Sequence, residues 1–260
     1  MNSTTHLIYF SPTGTTKKIV EQIAAGLGSQ QTDNYNLTLA AADFENTFQN
    51  GIAIIGIPVY AGRVPQICLD RMQRIKATGI PAVLVALYGN REYEDALVEL
   101  RDVTTAAGFS VVAAGAFIGE HSYSTEDQPI AVNRPDAADL KKALEFGQAV
   151  TAKLKADSTL RLPEIPGDVP YKDRVPLGGI SPETDSSTCT LCGTCAKVCP
   201  TAIITVGTTV ETKAENCIMC CACVKSCPES ARALNHPAVE TRRGLLMQNC
   251  SARKEPVTFL

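Results

Sequence analysis

The chain has 260 residues, with 24 Lys and Arg against 27 Asp and Glu and a net charge of −3. That balance lacks the basic field a nucleic-acid binder needs and contains no acidic run of a disordered tail, so DNA and RNA are excluded as partners. The longest apolar run, near Gly51 to Tyr60, falls far short of the about 20 residues that span a bilayer, which excludes a membrane-spanning role.

The opening residues, MNSTTHLIYFSPTG, have no charged n-region leading into a long apolar stretch and no small-residue cleavage site. The expectation is a soluble, cytoplasmic chain, long enough for two domains. His6 to Phe10 is a short run rich in β-formers that leads into Ser11-Pro12-Thr13-Gly14-Thr15-Thr16 and then a helical pattern through Ile19, Val20, Ile23 and Leu27. The amides of such a turn, with a helix N-terminus behind them, form an anion site suited to a phosphate. Taken alone, the turn reads equally well as a polar cap that only starts the helix. It is not a Walker A loop, and no G-x-G-x-x-G occurs in the chain.

Asn34 to Leu39 reads as an edge strand. Gly51 to Tyr60 reads as a strand buried on both faces, followed by Ala61-Gly62-Arg63-Val64-Pro65 and a helix to about Lys76. Pro81 to Tyr88 is another buried strand, followed by Gly89-Asn90-Arg91-Glu92-Tyr93 and a helix to Ala107. Phe109 to Ile118 is a fifth strand and Asp136 to Leu154 a closing helix. Five strands alternating with helices imply a parallel sheet covered on both faces, with a binding crevice beyond the carboxyl ends of the strands.

The loops at those ends carry the chemically dressed residues, and here residues 1–156 resemble the flavodoxin fold. The resemblance implies FMN. Its phosphate would be held by Ser11, Thr13, Gly14, Thr15 and Thr16, and its ring lined by Pro58, Val59, Tyr60, Ala61 and Gly62 with Tyr88, Gly89, Asn90 and Tyr93. The chain has no tryptophan, so Tyr60 and Tyr88 inherit the stacking role often filled by that residue. Arg63 and Arg91 fall beside this ring, either steering an anionic donor or stabilising reduced flavin, or lying solvated in their loops. Gly119 to Pro135 is a long loop of the kind that is often functional; its His121 reads either as a flavin or substrate contact or as an ordinary hydrogen-bonded histidine.

From Asp157 to Asp185 the composition shifts to proline and glycine, which implies a semi-extended linker over 157–185. Nine cysteines then fall between positions 189 and 227. Cys189, Cys192, Cys195 and Cys199 precede Pro200, and Cys217, Cys220, Cys223 and Cys227 precede Pro228, so C-x2-C-x2-C-x3-C-P occurs twice. This is the ligand spacing of two cubane [4Fe-4S] clusters, in which the fourth cysteine of each run serves the other cluster. The expected sets are Cys189, Cys192, Cys195 and Cys227, and Cys199, Cys217, Cys220 and Cys223. Paired zinc knuckles lack the third x2 step, and nothing directs the chain to a disulfide-forming compartment. Cys221 is out of phase and reads as a small packed thiol; Cys68 and Cys250 stand alone. The runs form an internal repeat, with Ala202-Ile203-Ile204 echoed weakly by Ala231-Arg232-Ala233.

Residues 184–236 resemble the two-[4Fe-4S] bacterial-type ferredoxin domain, and the whole resembles the flavodoxin–ferredoxin fusion proteins. The implied organisation is an FMN-binding domain at 1–156, the linker at 157–185, a ferredoxin domain at 186–236 and a tail at 237–260 that packs back on the body. The implied class is α/β, a flavodoxin-like five-stranded parallel sheet with a small α+β domain. The expected function is a soluble electron carrier coupling FMN to two clusters, working between redox proteins such as a ferredoxin, a reductase or an iron–sulfur enzyme. The alternative is an FMN-dependent oxidoreductase acting on NAD(P)H, a quinone or another organic acceptor, for which the long loop would form a lid. An iron–sulfur redox sensor is weakened by the lack of a signalling module.

Overall fold

The computed structural model describes residues 4–39, 46–156, 163–176 and 178–260. Positions 157–162 and 177 of the expected linker lie outside the described residues. Strand β1 (Thr5–Tyr9) is fully buried and feeds α1 (Thr15–Leu27). β2 (Thr32–Asn36) follows, then β3 (Asn46–Phe48), β4 (Ile52–Pro58), α2 (Gln66–Met72) and β5 (Ile75–Ala77). The run continues through β6 (Pro81–Tyr88), α3 (Ala96–Ala106), β7 (Ser110–Ile118) and α4 (Ala137–Ala156).

The main sheet runs β2-β1-β4-β6-β7 with every neighbouring pair parallel. Counting only these five strands, the order is 2-1-3-4-5, the flavodoxin-like doubly wound arrangement. Apolar runs put β4, β6 and β7 in the middle, where both faces are covered; the polar β2, Thr-Asp-Asn-Tyr-Asn, sits at an edge with alternate residues exposed. One core lies under α2 and α3, the other under α1 and α4. Gly26 and Gly147 let the backbones of α1 and α4 touch: a Cβ on Gly26 would fall 2.1 Å from the Leu144 carbonyl oxygen.

Three expectations shift. The second strand lies at Thr32–Asn36, because Leu37 and Thr38 turn inward and the Thr38 hydroxyl accepts the Ser11 N–H at 2.8 Å. The helix after β4 stops at Met72 rather than near Lys76, since Ile75 is buried and β5 pairs in parallel with β3. The sheet also gains a sixth strand: β12 (Val257–Phe259), from the C-terminal segment, pairs antiparallel with the outer edge of β7.

The cysteine region is built from very short elements. These are β8 (Glu183–Thr184), α5 (Thr194–Lys197), β9 (Ile204–Val206), β10 (Val210–Thr212), α6 (Ala222–Lys225) and β11 (Arg232–Ala233), followed by α7 (Pro237–Asn249). β8 pairs with β11 and β9 with β10, so the strand opening the first repeat closes against the strand ending the second. The repeat is also written in the backbone. Leu191, Gly193 and Ala202 have positive φ, and so do Met219, Cys221 and Ser230, each 28 positions on. The echo of Ala202 is therefore Ser230, one residue earlier than the alanine pattern suggests, and Ile204 corresponds to Arg232. Among the described residues no helix is long and apolar enough to cross a membrane.

Candidate functional site

A cavity of about 460 Å³ opens at the carboxyl ends of β1, β4, β6 and β7. Sequence order makes this location: the β1 and β4 ends flank the point where strand order reverses, which is where doubly wound sheets take ligands. Thr13, Thr15 and Thr16 line it on the α1 side. α1 starts behind a left-handed Gly14 (φ 80) and has no acidic residue in its first turn, so its free N–H groups remain suited to an anion. Ser11 contributes differently: its Oγ accepts the Lys17 N–H at 3.0 Å, a capping bond.

Pro58, Val59, Tyr60 and Ala61 form the next wall. Tyr60 and Arg63 exchange two backbone hydrogen bonds of 3.0 and 3.1 Å, closing a tight turn with Ala61 (φ 50) and Gly62 (φ 83) at its centre. Positive φ at both central residues is the type I′ pattern. Gly62 faces away from the cavity toward Glu94, whose Oε2 would lie 1.7 Å from a Cβ there. Tyr88 and Gly89 line the third side. Gly89 is packed against the His121 ring, 2.4 Å from where its Cβ would be. Tyr93 packs behind Tyr88 with its ring tilted, centroids 5.5 Å apart, and Asn90 is buried with its amide donating to the carbonyls of Cys250 (2.6 Å) and Ala252 (2.9 Å). The cavity thus gathers Thr13, Thr15, Thr16, Pro58, Val59, Tyr60, Ala61, Tyr88 and Gly89. Ser11, Gly14, Gly62, Asn90 and Tyr93 instead support the walls.

Arg63 neither faces the cavity nor lies solvated. It forks onto the buried Glu99 carboxylate at 2.8 and 2.9 Å, donates to the Lys172 carbonyl and stacks on Tyr171. Glu99 also accepts from Val64 N and Arg174, while Asp95 accepts the N–H groups of Asp168 and Lys172. The linker segment is in this way bolted along α3. Arg91 does line the cavity, held by Glu94 at 2.8 and 3.0 Å. His121 lines it too; burial brings its imidazole down to about 4, and Nδ1 accepts the Tyr123 N–H at 3.0 Å. The ring is therefore neutral near pH 7, with Nε2 carrying the proton.

The remaining wall comes from far along the chain. Ile218 and Met219, between Cys217 and Cys220, face the cavity, as do Tyr123 and, on α7, Leu245 and Leu246. Burial raises the Tyr60 hydroxyl well above its ordinary value, with the Cys220 and Cys221 thiols next in effect. Burial also brings Tyr123 up to about 12; its hydroxyl meets the Met219 sulfur at 3.8 Å. The long loop is not free to act as a lid. Lys225 reaches Glu120 at 2.5 Å and the Ser124 carbonyl at 3.0 Å, and Arg243 donates to the Tyr123 carbonyl at 2.7 Å. No local pattern announces these wall residues; the one sequence signal is the place of Ile218 and Met219 between expected ligands.

Two smaller cavities of about 20 Å³ lie in the cysteine region. Cys189, Cys192, Cys195 and Cys227 line one; Cys199, Cys217, Cys220 and Cys223 line the other, with Cys221 beside them. Each set mixes three cysteines of one run with the fourth of the other. Among the described residues no group of three or more His, Cys, Asp and Glu side chains is placed to hold a single metal ion. That donor set and spacing fit a cubane cluster. Cys221 is buried at a left-handed position (φ 58), its Sγ 3.6 Å from the Met219 carbonyl oxygen. Arg71 ties the region to α2, donating to the Pro200 carbonyl at 2.6 Å.

Residues 181–228 match the 4Fe-4S dicluster domain family. Solved structures similar to this chain include a flavodoxin of Streptococcus pneumonia TIGR4, at 18% identity over 58% of this chain and 99% of that one, with a TM-score of 0.42. A Fusobacterium nucleatum flavodoxin bound to flavin mononucleotide shares 19% identity over 59% of this chain and 97% of its own, with a TM-score of 0.39. The rubredoxin oxygen:oxidoreductase of Desulfovibrio gigas shares 16%, over 60% of this chain and 37% of its own, at 0.39. No curated protein matches the chain. On its strand order and its cysteine motifs, the chain joins a flavodoxin-like fold to a segment that matches the 4Fe-4S dicluster domain family.

Proposed function

We propose that this protein is an electron carrier that holds FMN in the large cavity and two [4Fe-4S] clusters in the two cysteine-lined ones. The observation that carries the reading is that Ile218 and Met219, flanked by Cys217 and Cys220, line the same cavity as the α1 turn, Tyr60 and Tyr88. A bound flavin exchanges two electrons and passes them singly, and each cluster carries one. Thr13, Thr15 and the start of α1 hold the phosphate. Tyr60 and Tyr88 flank the ring, and neutral His121 offers a fixed N–H without adding charge.

The cluster held by Cys199, Cys217, Cys220 and Cys223 is then the one beside the flavin. The other is the exit, since Cys192 and Leu191 are exposed at its edge. A redox protein docking there takes or delivers electrons without approaching the flavin. A second reading, direct reaction of the flavin with NAD(P)H or another anionic organic molecule, draws on Arg91, Arg242 and Lys172 in the cavity wall.

The test uses the full chain reconstituted anaerobically and assayed for FMN, iron and sulfide. With NADH or NADPH the flavin absorbance is expected to stay unchanged in stopped flow, while a reduced low-potential ferredoxin bleaches clusters and flavin. Fast bleaching by either nucleotide overturns the carrier reading in favour of the second. A chain that takes up zinc, or no flavin, overturns both.

A further inference from the structure

β11 begins with a charged residue where the repeat elsewhere has an apolar one. Ile204 opens β9 opposite Thr212, and its counterpart Arg232 opens β11 opposite Thr184. Both positions are buried, Arg232 with only 4% of its surface exposed. Its guanidinium donates to the Thr184 hydroxyl at 2.6 Å and the Thr212 hydroxyl at 3.1 Å, one from each half of the repeat. It also reaches the Cys223 sulfur at 3.7 Å, and it lines both cysteine cavities. Its Nε–H has no acceptor among the described residues, and the partners it does have are neutral hydroxyls and a thiol.

A buried guanidinium stays charged, and burying it without a counter-charge is costly. Two strands joined by hydroxyls do not need that charge; Ile204 fills the equivalent place without it. Four thiolates around a cubane cluster, by contrast, leave net negative charge, and reduction adds more. A cation at this boundary stabilises the reduced form and so raises the potential, since charge and hydrogen bonds near the cluster sulfurs set it. The contact to Cys223 makes the effect unequal.

Resting on the cluster assignment above, we infer that Arg232 is a tuning residue that raises the reduction potential of the flavin-side cluster, the one held by Cys199, Cys217, Cys220 and Cys223, above that of the exit cluster. An electron entering from either side then comes to rest on the flavin-side cluster.

The test is an EPR-monitored potentiometric titration of the reconstituted full chain, with iron and sulfide measured on each sample. In Arg232→Gln one of the two one-electron couples is expected to fall by an amount that makes reduction about tenfold harder, about 59 mV for one electron. The other couple moves less. Arg232→Lys keeps the charge and is expected to recover at least half of the shift. Unchanged couples in a fully loaded Arg232→Gln, or a Lys variant that falls as far as Gln, overturn the proposal. If the Gln variant loads no iron, Arg232→Met, neutral and of similar length, takes its place: a loss confined to one couple supports the assignment, and couples at wild-type values in a fully loaded sample overturn it. A wild-type chain that binds no clusters defeats the cluster reading itself, which separates that failure from this one.

Discussion

In the sheet region Ile54, Ile55, Leu84 and Phe117 are fully buried between two layers of helices, while the buried cluster of the cysteine region is Cys195, Ile203, Ile204, Cys217 and Cys223. Each large apolar side chain in the first contributes about 1.5–3 kcal/mol by leaving water, and there are dozens. The second has strands of two or three residues, helices of four, and a buried cluster in which three of the five residues are cysteines. The sheet region can therefore stand on burial alone and shape a cavity with its loops. The cysteine region is too small for that, and on the proposed assignment its clusters are the centre it folds around.

The largest expected effect breaks this contrast open. Cys199→Ala or Cys227→Ala removes a thiol that crosses from one run to the other's cavity, and on the proposed assignment this unfastens both halves. In hydrogen exchange under anaerobic conditions, amides of β9, β10 and β11 are expected to lose protection almost completely, with iron content falling. Amides of β4 and β6 keep theirs. Protection lost equally in both regions would mean that the sheet, too, depends on the clusters.

Glu99→Gln sharpens the comparison from the other side. The carboxylate is buried on α3 and holds Arg63, Arg174 and the Val64 N–H together. An amide leaves two guanidinium groups without their charge partner, which costs about 3–5 kcal/mol. Urea unfolding followed by far-UV circular dichroism reads that loss. Iron content is expected to remain at the wild-type level, because the linker segment is fastened here to the sheet region. A variant that lost its iron while keeping the sheet stable would assign Glu99 to the other region.

What the sequence made legible follows the same division. Pro81–Tyr88 reads as a buried strand and is one, because seven apolar and β-forming residues between Pro81 and Gly89 leave little choice. The grouping of the cysteines around two cavities follows the sequence because the spacing within each run is a local property. β3 and β5, at three residues each, are too short to show a period, and β12 forms only because the edge of β7 is there to receive it. Asn90 and Arg63 stand in loops that face the cavity, yet their side chains turn to Cys250, Ala252 and Glu99. Those partners are remote in sequence, and no local signal names them. The outer wall from Ile218, Met219 and α7 is hidden for the same reason.

The smallest effect tests whether the two halves of the repeat obey one backbone rule. Gly193 and Cys221 occupy equivalent left-handed positions, φ 76 and φ 58, each just before a four-residue helix. A Cβ on Gly193 meets nothing within 4 Å, so Gly193→Ala pays only the left-handed penalty, about 1 kcal/mol. Cys221 already bears that penalty and offsets it with a buried thiol packed near Leu234 and Val239. Cys221→Ala keeps the strain and loses the sulfur, while Cys221→Gly loses the sulfur but releases the strain. The glycine variant is therefore expected to lie within about 0.5 kcal/mol of the wild type and the alanine variant about 1 kcal/mol below it, the reverse of their order inside a helix. Anaerobic urea titration of cluster absorbance measures the order. Iron content stays at the wild-type level in both variants if Cys221 is a packing thiol; iron lost from either would make it a ligand and remove the basis for comparing it with Gly193.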